Sequence, residues 1–225
     1  MAININAYNA TLAETTKKKA VLVAVSKFKP IADIQTLYDL GQRDFGENFV
    51  QELALKYEAL PKDIHWHFIG HLQSNKVKYI APFIHLIHGV DGKKLLAEIN
   101  KQAQKNNRII DCLLQVHIAE EETKFGFDET ELKELMSIIT SPGNSEFSNI
   151  SIRGLMGMAS FSEDKENVRQ EFQKLSALYN LYQPQLPACN ILSMGMSGDY
   201  EIALKEGSTM IRVGSLLFGA RTTSG

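Results

Sequence analysis

Short apolar runs alternate with amphipathic stretches along the chain, and this alternation constrains the fold more than any other feature. The first run is Val21-Leu22-Val23-Ala24-Val25. Further strand-like segments lie near residues 44–46, 64–69, 84–88, 109–118, 152–156, 191–193 and 210–213. Between them the apolar residues take helical spacing, as in Ile34, Leu37 and Tyr38, in Leu132, Leu135 and Met136, and in Val168, Phe172 and Leu175. A helix is expected from Asn48 to Ala59, a short one from Ser74 to Tyr79, one capped by Asp91, and one from Gly198 to Lys205. Strict alternation implies a parallel sheet with right-handed crossovers. Eight such units in about 200 residues predict an α/β fold, a single closed (β/α)8 barrel spanning residues 1–225. An open doubly wound sheet would carry a glycine-rich turn after its first strand, where this chain has Ser26-Lys27-Phe28-Lys29-Pro30.

Composition narrows the function. Lys and Arg number 24 against 26 Asp and Glu, a formal net charge of −2, so no global basic field draws in nucleic acid. The two cysteines, Cys112 and Cys189, have no metal-ligand spacing and each lies beside an apolar run, which reads as buried free thiols of a reducing compartment. No secretion signal opens the sequence, and no apolar stretch is long enough to span a bilayer. The expectation is a cytoplasmic protein that binds neither nucleic acid nor membrane.

In barrels of this kind the chemistry sits at the C-terminal ends of the strands. Lys27 follows the first strand. A lysine that desolvation deprives of its proton is a nucleophile toward carbonyl compounds. Met196-Ser197-Gly198 after the seventh strand and Gly214-Ser215 after the eighth are small-residue turns, at the recurrent phosphate position of barrels. Arg212 supplies a fixed cation on the last strand. An amine, a cation and two such turns around one mouth suit a phosphorylated aldehyde.

A rival reading uses His65, His67 and His71. Two histidines alternating on one strand plus a third can bind zinc, which would make a metal hydrolase. No cysteine joins them and no acid lies close in sequence; Trp66 and Phe68 occupy the other face of the strand. His85, His88 and His117 are scattered. No metal ligand is assigned.

Several longer motifs resemble one family. Ala24-Val25-Ser26-Lys27-Phe28-Lys29-Pro30, Phe45-Gly46-Glu47-Asn48-Phe49-Val50-Gln51-Glu52, Trp66-His67-Phe68-Ile69-Gly70-His71-Leu72-Gln73-Ser74-Asn75-Lys76, Arg153-Gly154-Leu155-Met156, Leu192-Ser193-Met194-Gly195-Met196-Ser197 and Arg212-Val213-Gly214-Ser215 are similar, in order, to the motifs of the pyridoxal phosphate homeostasis proteins. The resemblance implies a barrel like the N-terminal domain of alanine racemase, with pyridoxal 5'-phosphate held on Lys27 as an aldimine. It implies phosphate contacts from Ser197, Gly214 and Ser215, a pyridine nitrogen facing Arg212, and Asn48 near the ring. It further implies intracellular vitamin B6 homeostasis without established turnover, a monomer, and hand-over to pyridoxal-dependent apoenzymes. Phe28 stands where the family usually has threonine, which alters the lid over the cofactor, and the segment before Val21 is shorter than usual. The competing function is an amino-acid racemase, which would need a second, β-rich domain and a tyrosine base.

Overall fold

The computed structural model describes residues 3–119, 125–143 and 145–219. Eight parallel strands close into a barrel in sequence order: β1 (Val21–Val25), β2 (Asp44–Glu47), β3 (His65–Phe68), β4 (Leu86–Val90), β5 (Ile110–Gln115), β6 (Ile150–Met156), β7 (Ile191–Ser193) and β8 (Met210–Val213). The helices are α1 (Ile5–Lys17), α2 (Ile31–Asp39), α3 (Val50–Ala59), α4 (Val77–Ile80), α5 (Lys93–Lys105), α6 (Glu129–Ile139), α7 (Lys165–Tyr182), α8 (Tyr200–Lys205) and α9 (Ser215–Phe218). Closure is made by β8 against β1, with Val21 opposite Met210 and Val23 opposite Arg212.

Alternation along the strands divides the core in two. Ala24, Phe45, Trp66, Phe68, Ile87, Leu114, Leu192 and Val213 pack outward in the large cluster under the helices. Val23, Leu86, Leu113, Met156 and Met210 form a second cluster inside the barrel. A bulge re-phases β6: Cys112 pairs with Ile152 but Leu113 pairs with Gly154, so Ile152 and Leu155 both join the outer core. Only glycine suits the bulge, because at φ +150° a Cβ on Gly154 would sit 1.7 Å from the Ile191 carbonyl oxygen.

One local expectation is corrected. Asp91 does not cap α5; Gly92 holds the N-cap position with no side-chain bond, and Asp91 Oδ2 instead bonds His71 Nδ1 at 2.9 Å. The first strand ends at Val25, and Lys27 follows it by two residues, as expected. Cys112 and Cys189 are buried free thiols, as expected.

Candidate cofactor site

Lys27, Asn48, Ser197, Arg212, Gly214 and Ser215 all line one cavity of about 720 Å³ at the C-terminal mouth of the barrel. They come from the ends of β1, β2, β7 and β8, which barrel closure makes neighbours.

An ion-pair cluster beneath the cavity sets the loop that carries half-buried Lys27. Lys56 of α3 donates from Nζ to the Ser26 carbonyl oxygen (2.8 Å), to Glu47 Oε1 (2.7 Å) and to Glu52 Oε1 (2.6 Å). Glu47 Oε1 also accepts from Ser26 Oγ at 2.5 Å, and Glu52 Oε1 accepts from the Phe28 backbone N–H at 2.6 Å. The backbone is therefore gripped on both sides of Lys27. Phe28 takes φ +61°, a costly conformation for a bulky residue, and packs on Phe49 with ring centroids 4.9 Å apart. Glu47 is fully buried; burial raises its pKa, and the Lys56 charge and hydrogen bond oppose that rise. Sequence reading missed Glu52 and Lys56; their i, i+4 spacing after Glu47 is the pattern that could have found them.

Across the mouth, Ser197 Oγ accepts from the backbone N–H groups of Gly214 (3.1 Å) and Leu216 (3.4 Å). The two small-residue turns thus meet. Ser197 is not the helix cap: α8 begins at Tyr200 with Asp199 at its N-cap position, and Asp199 Oδ1 accepts from the Met196 N–H at 2.5 Å. A Cβ on Gly214 would approach Val25 Cβ and the Val25 carbonyl oxygen to 3.2 Å, so this turn packs directly on the end of β1.

Arg212 is 4% exposed, so the fixed cation on the last strand is buried. It donates to Ser193 Oγ at 2.6 Å and to the Gly157 carbonyl oxygen at 3.0 Å. Burial lowers its pKa to about 10, against the opposing charge of Asp199. Asn48 lies on the loop where a Cβ on Gly70 would come 2.7 Å from the Asn48 carbonyl oxygen, so the loops after β2 and β3 interlock there. Its side-chain Oδ1 is buried and has no hydrogen-bond partner among the described residues. The loop after β6, from Met158 to Glu163, forms a wall that sequence reading did not assign. Glu171 of α7 pins that wall by accepting from the Ser160 N–H at 2.6 Å and from Ser160 Oγ at 2.5 Å.

The histidines do not assemble as the rival reading required. His71 is engaged by Asp91 and stacks on Phe125, and Asp44 is the acid that sequence proximity did not reveal. A polar chain runs through the barrel interior instead. Asp44 Oδ1 lies 3.0 Å from His67 Nε2, His67 Nδ1 lies 2.9 Å from His88 Nε2, and His88 Nδ1 lies 3.1 Å from Ser193 Oγ, which binds Arg212. Burial pushes His88 well below the ordinary histidine range, with the charges of His67, Arg212 and His85 adding to the effect.

The family described as "Alanine racemase, N-terminal domain" matches residues 3–222. A pyridoxal phosphate homeostasis protein of Aquifex aeolicus is 45% identical over 204 residues, covering 90% of this chain and 87% of that protein. The solved structure of PipY from Synechococcus elongatus with PLP bound superposes at TM-score 0.82 with 35% identity, covering 93% of this chain and 97% of that one. Alanine racemase from Bartonella henselae superposes at TM-score 0.69 with 20% identity over 62% of its own chain, a likeness of fold.

Proposed function

The chain belongs to the pyridoxal phosphate homeostasis protein family, and on that premise we propose that it binds pyridoxal 5'-phosphate in the cavity at the C-terminal mouth and acts as a carrier and buffer of the cofactor. The observation that carries this reading is the convergence of a half-buried lysine, a small-residue turn and a buried arginine on one cavity. When bound, the cofactor supplies an electrophilic aldehyde and an electron-withdrawing ring. The site suits such a group: the cavity has ample room for it, and an amine, a guanidinium and the small-residue turn at Gly214-Ser215 all line it.

In this reading Lys27 provides the amine that holds the aldehyde carbon covalently. Ser197, Gly214 and Ser215 take the phosphate, Asn48 sits near the ring, and Arg212 faces the pyridine nitrogen. The buried guanidinium is anchored by Ser193 and Gly157, so its charge stays in place. A fixed cation beside a ring nitrogen disfavours protonation there and weakens the ring as an electron sink. That supports holding the cofactor rather than turning over amino acids. The recipients are apoenzymes that need the cofactor, and the protein works as a cytoplasmic monomer. Among the described residues no helix is long and apolar enough to cross a membrane.

Titration with pyridoxal 5'-phosphate tests the proposal. The expected result is a saturable change in visible absorption at one cofactor per chain, with racemisation of L- or D-alanine far below the ~10 per second of ordinary enzymes. Absence of a stoichiometric change, or racemisation near that rate, would overturn it.

A further inference from the structure

The opposite, N-terminal mouth of the barrel holds a second group of side chains. We propose that Asp44, His67 and His85 form a binding site for a divalent transition-metal ion of the zinc or nickel class. Asp44 opens β2, His67 lies on β3, and His85 immediately precedes β4. One potential ligand atom from each lies within 4.8 Å of the others. A tetrahedral ion with bonds near 2.0–2.1 Å needs ligand atoms about 3.3 Å apart. His67 Nε2 and Asp44 Oδ1, at 3.0 Å, already stand close to that spacing. The remaining contraction falls to His85, an exposed residue just outside β4.

An independent observation concerns the far side of the His67 ring. Ligating histidines have their other nitrogen fixed by a second group, which sets ring orientation. His67 is fully buried and its Nδ1 is held 2.9 Å from His88 Nε2, itself tied to Ser193. The ring is thus locked with Nε2 directed at the mouth. With Nε2 coordinating, the Nδ1–H faces His88 Nε2 as its acceptor.

Asp44 supplies the negative charge of the cluster. Asp44 is partly exposed, and His65 stacks on His85 with centroids 4.5 Å apart. The nearby Arg153 is paired with Asp111 at 2.8 Å, which offsets its charge. Two imidazoles and one carboxylate suit zinc or nickel, whereas magnesium and calcium favour oxygen donors. A fourth position stays open to water. The cluster shares only His67 with an uninterrupted His65, His67 and His71 set, and it lies away from the cofactor cavity, so its test is independent of the cofactor proposal.

The experiment is calorimetric titration of the full chain, stripped with chelator and free of added pyridoxal phosphate, with zinc sulfate and with magnesium chloride. One zinc ion per chain should bind and magnesium should not compete. His85→Ala and Asp44→Asn should each weaken zinc at least about tenfold, while His71→Ala leaves it unchanged. In parallel, zinc should shift the ring resonances of His67 and His85 in the parent protein, a readout that does not depend on any variant folding. No saturable zinc binding, full affinity in His85→Ala, or shifts confined to His71 and His117 would overturn the site.

Discussion

Replacing Lys56 with methionine tests how the lysine loop is held. The substitution removes three hydrogen bonds and leaves the fully buried Glu47 without its cation, beside an Oε2 that already has no partner among the described residues. Glu47 then either stays charged in the core, which costs several kcal/mol, or takes up a proton. The second route caps the penalty. An ordinary Glu pKa of about 4.3 makes protonation near pH 7 cost about 3.7 kcal/mol, and near pH 5 only about 1 kcal/mol. The sign follows: burial raises the folded pKa, so the folded variant holds a proton that the unfolded chain has released, and stability returns as pH falls toward the unfolded pKa. Lys56→Met should therefore lose about 3–4 kcal/mol near pH 7, and much less near pH 5, by urea unfolding. Glu47→Gln combined with Lys56→Met should recover most of the loss near pH 7, because an amide needs no proton. A penalty equal at both pH values, or a double variant no better than the single, would refute the reasoning.

Gly214→Val, whose Cβ would press on Val25, should weaken pyridoxal phosphate binding at least about tenfold, roughly 1.4 kcal/mol, while His65→Ala stays within about twofold in the same absorbance titration; the reverse order would move the phosphate site. Arg212→Glu should alter the visible spectrum of the loaded protein, since it replaces a buried cation with an anion; an unchanged spectrum and unchanged retention would place Arg212 away from the cofactor ring. Cys112 and Cys189 are both buried; burial pushes the Cys112 thiol up, and the Cys189 thiol to about 11. Ellman's reagent should therefore find no rapidly reacting thiol in the native protein and both after denaturation, and rapid native labelling would contradict the packing.

Most of the eight strands were legible as local apolar runs, although β2 reads Asp44-Phe45-Gly46-Glu47 and β3 His65-Trp66-His67-Phe68, and the barrel followed from the alternation of strands with helices. The N-terminal helix was not, because its buried face is Tyr8, Thr11 and Thr15 rather than aliphatic. The threonine hydroxyls are satisfied within the helix, Thr11 by the Ala7 carbonyl and Thr15 by that of Leu12, so a polar pattern packs against the core. Lys27, the two small-residue turns and Arg212 could be placed at one mouth because strand ends in a barrel share a face. What supports them could not. The contact of Lys56 with Ser26 spans 30 residues and follows from the pairing of β1 with β2, and that of His88 with Ser193 spans 105 and needs the closed barrel, which brings β4 and β7 to one interior.

Borohydride reduction of the protein loaded with pyridoxal phosphate, followed by peptide mapping, tests the central claim most directly. The account predicts one reduced cofactor per chain, on the peptide containing Lys27, and none in Lys27→Ala. A label on Lys29, which donates to the Phe218 and Gly219 carbonyls at the same cavity, or on any other lysine, would contradict it.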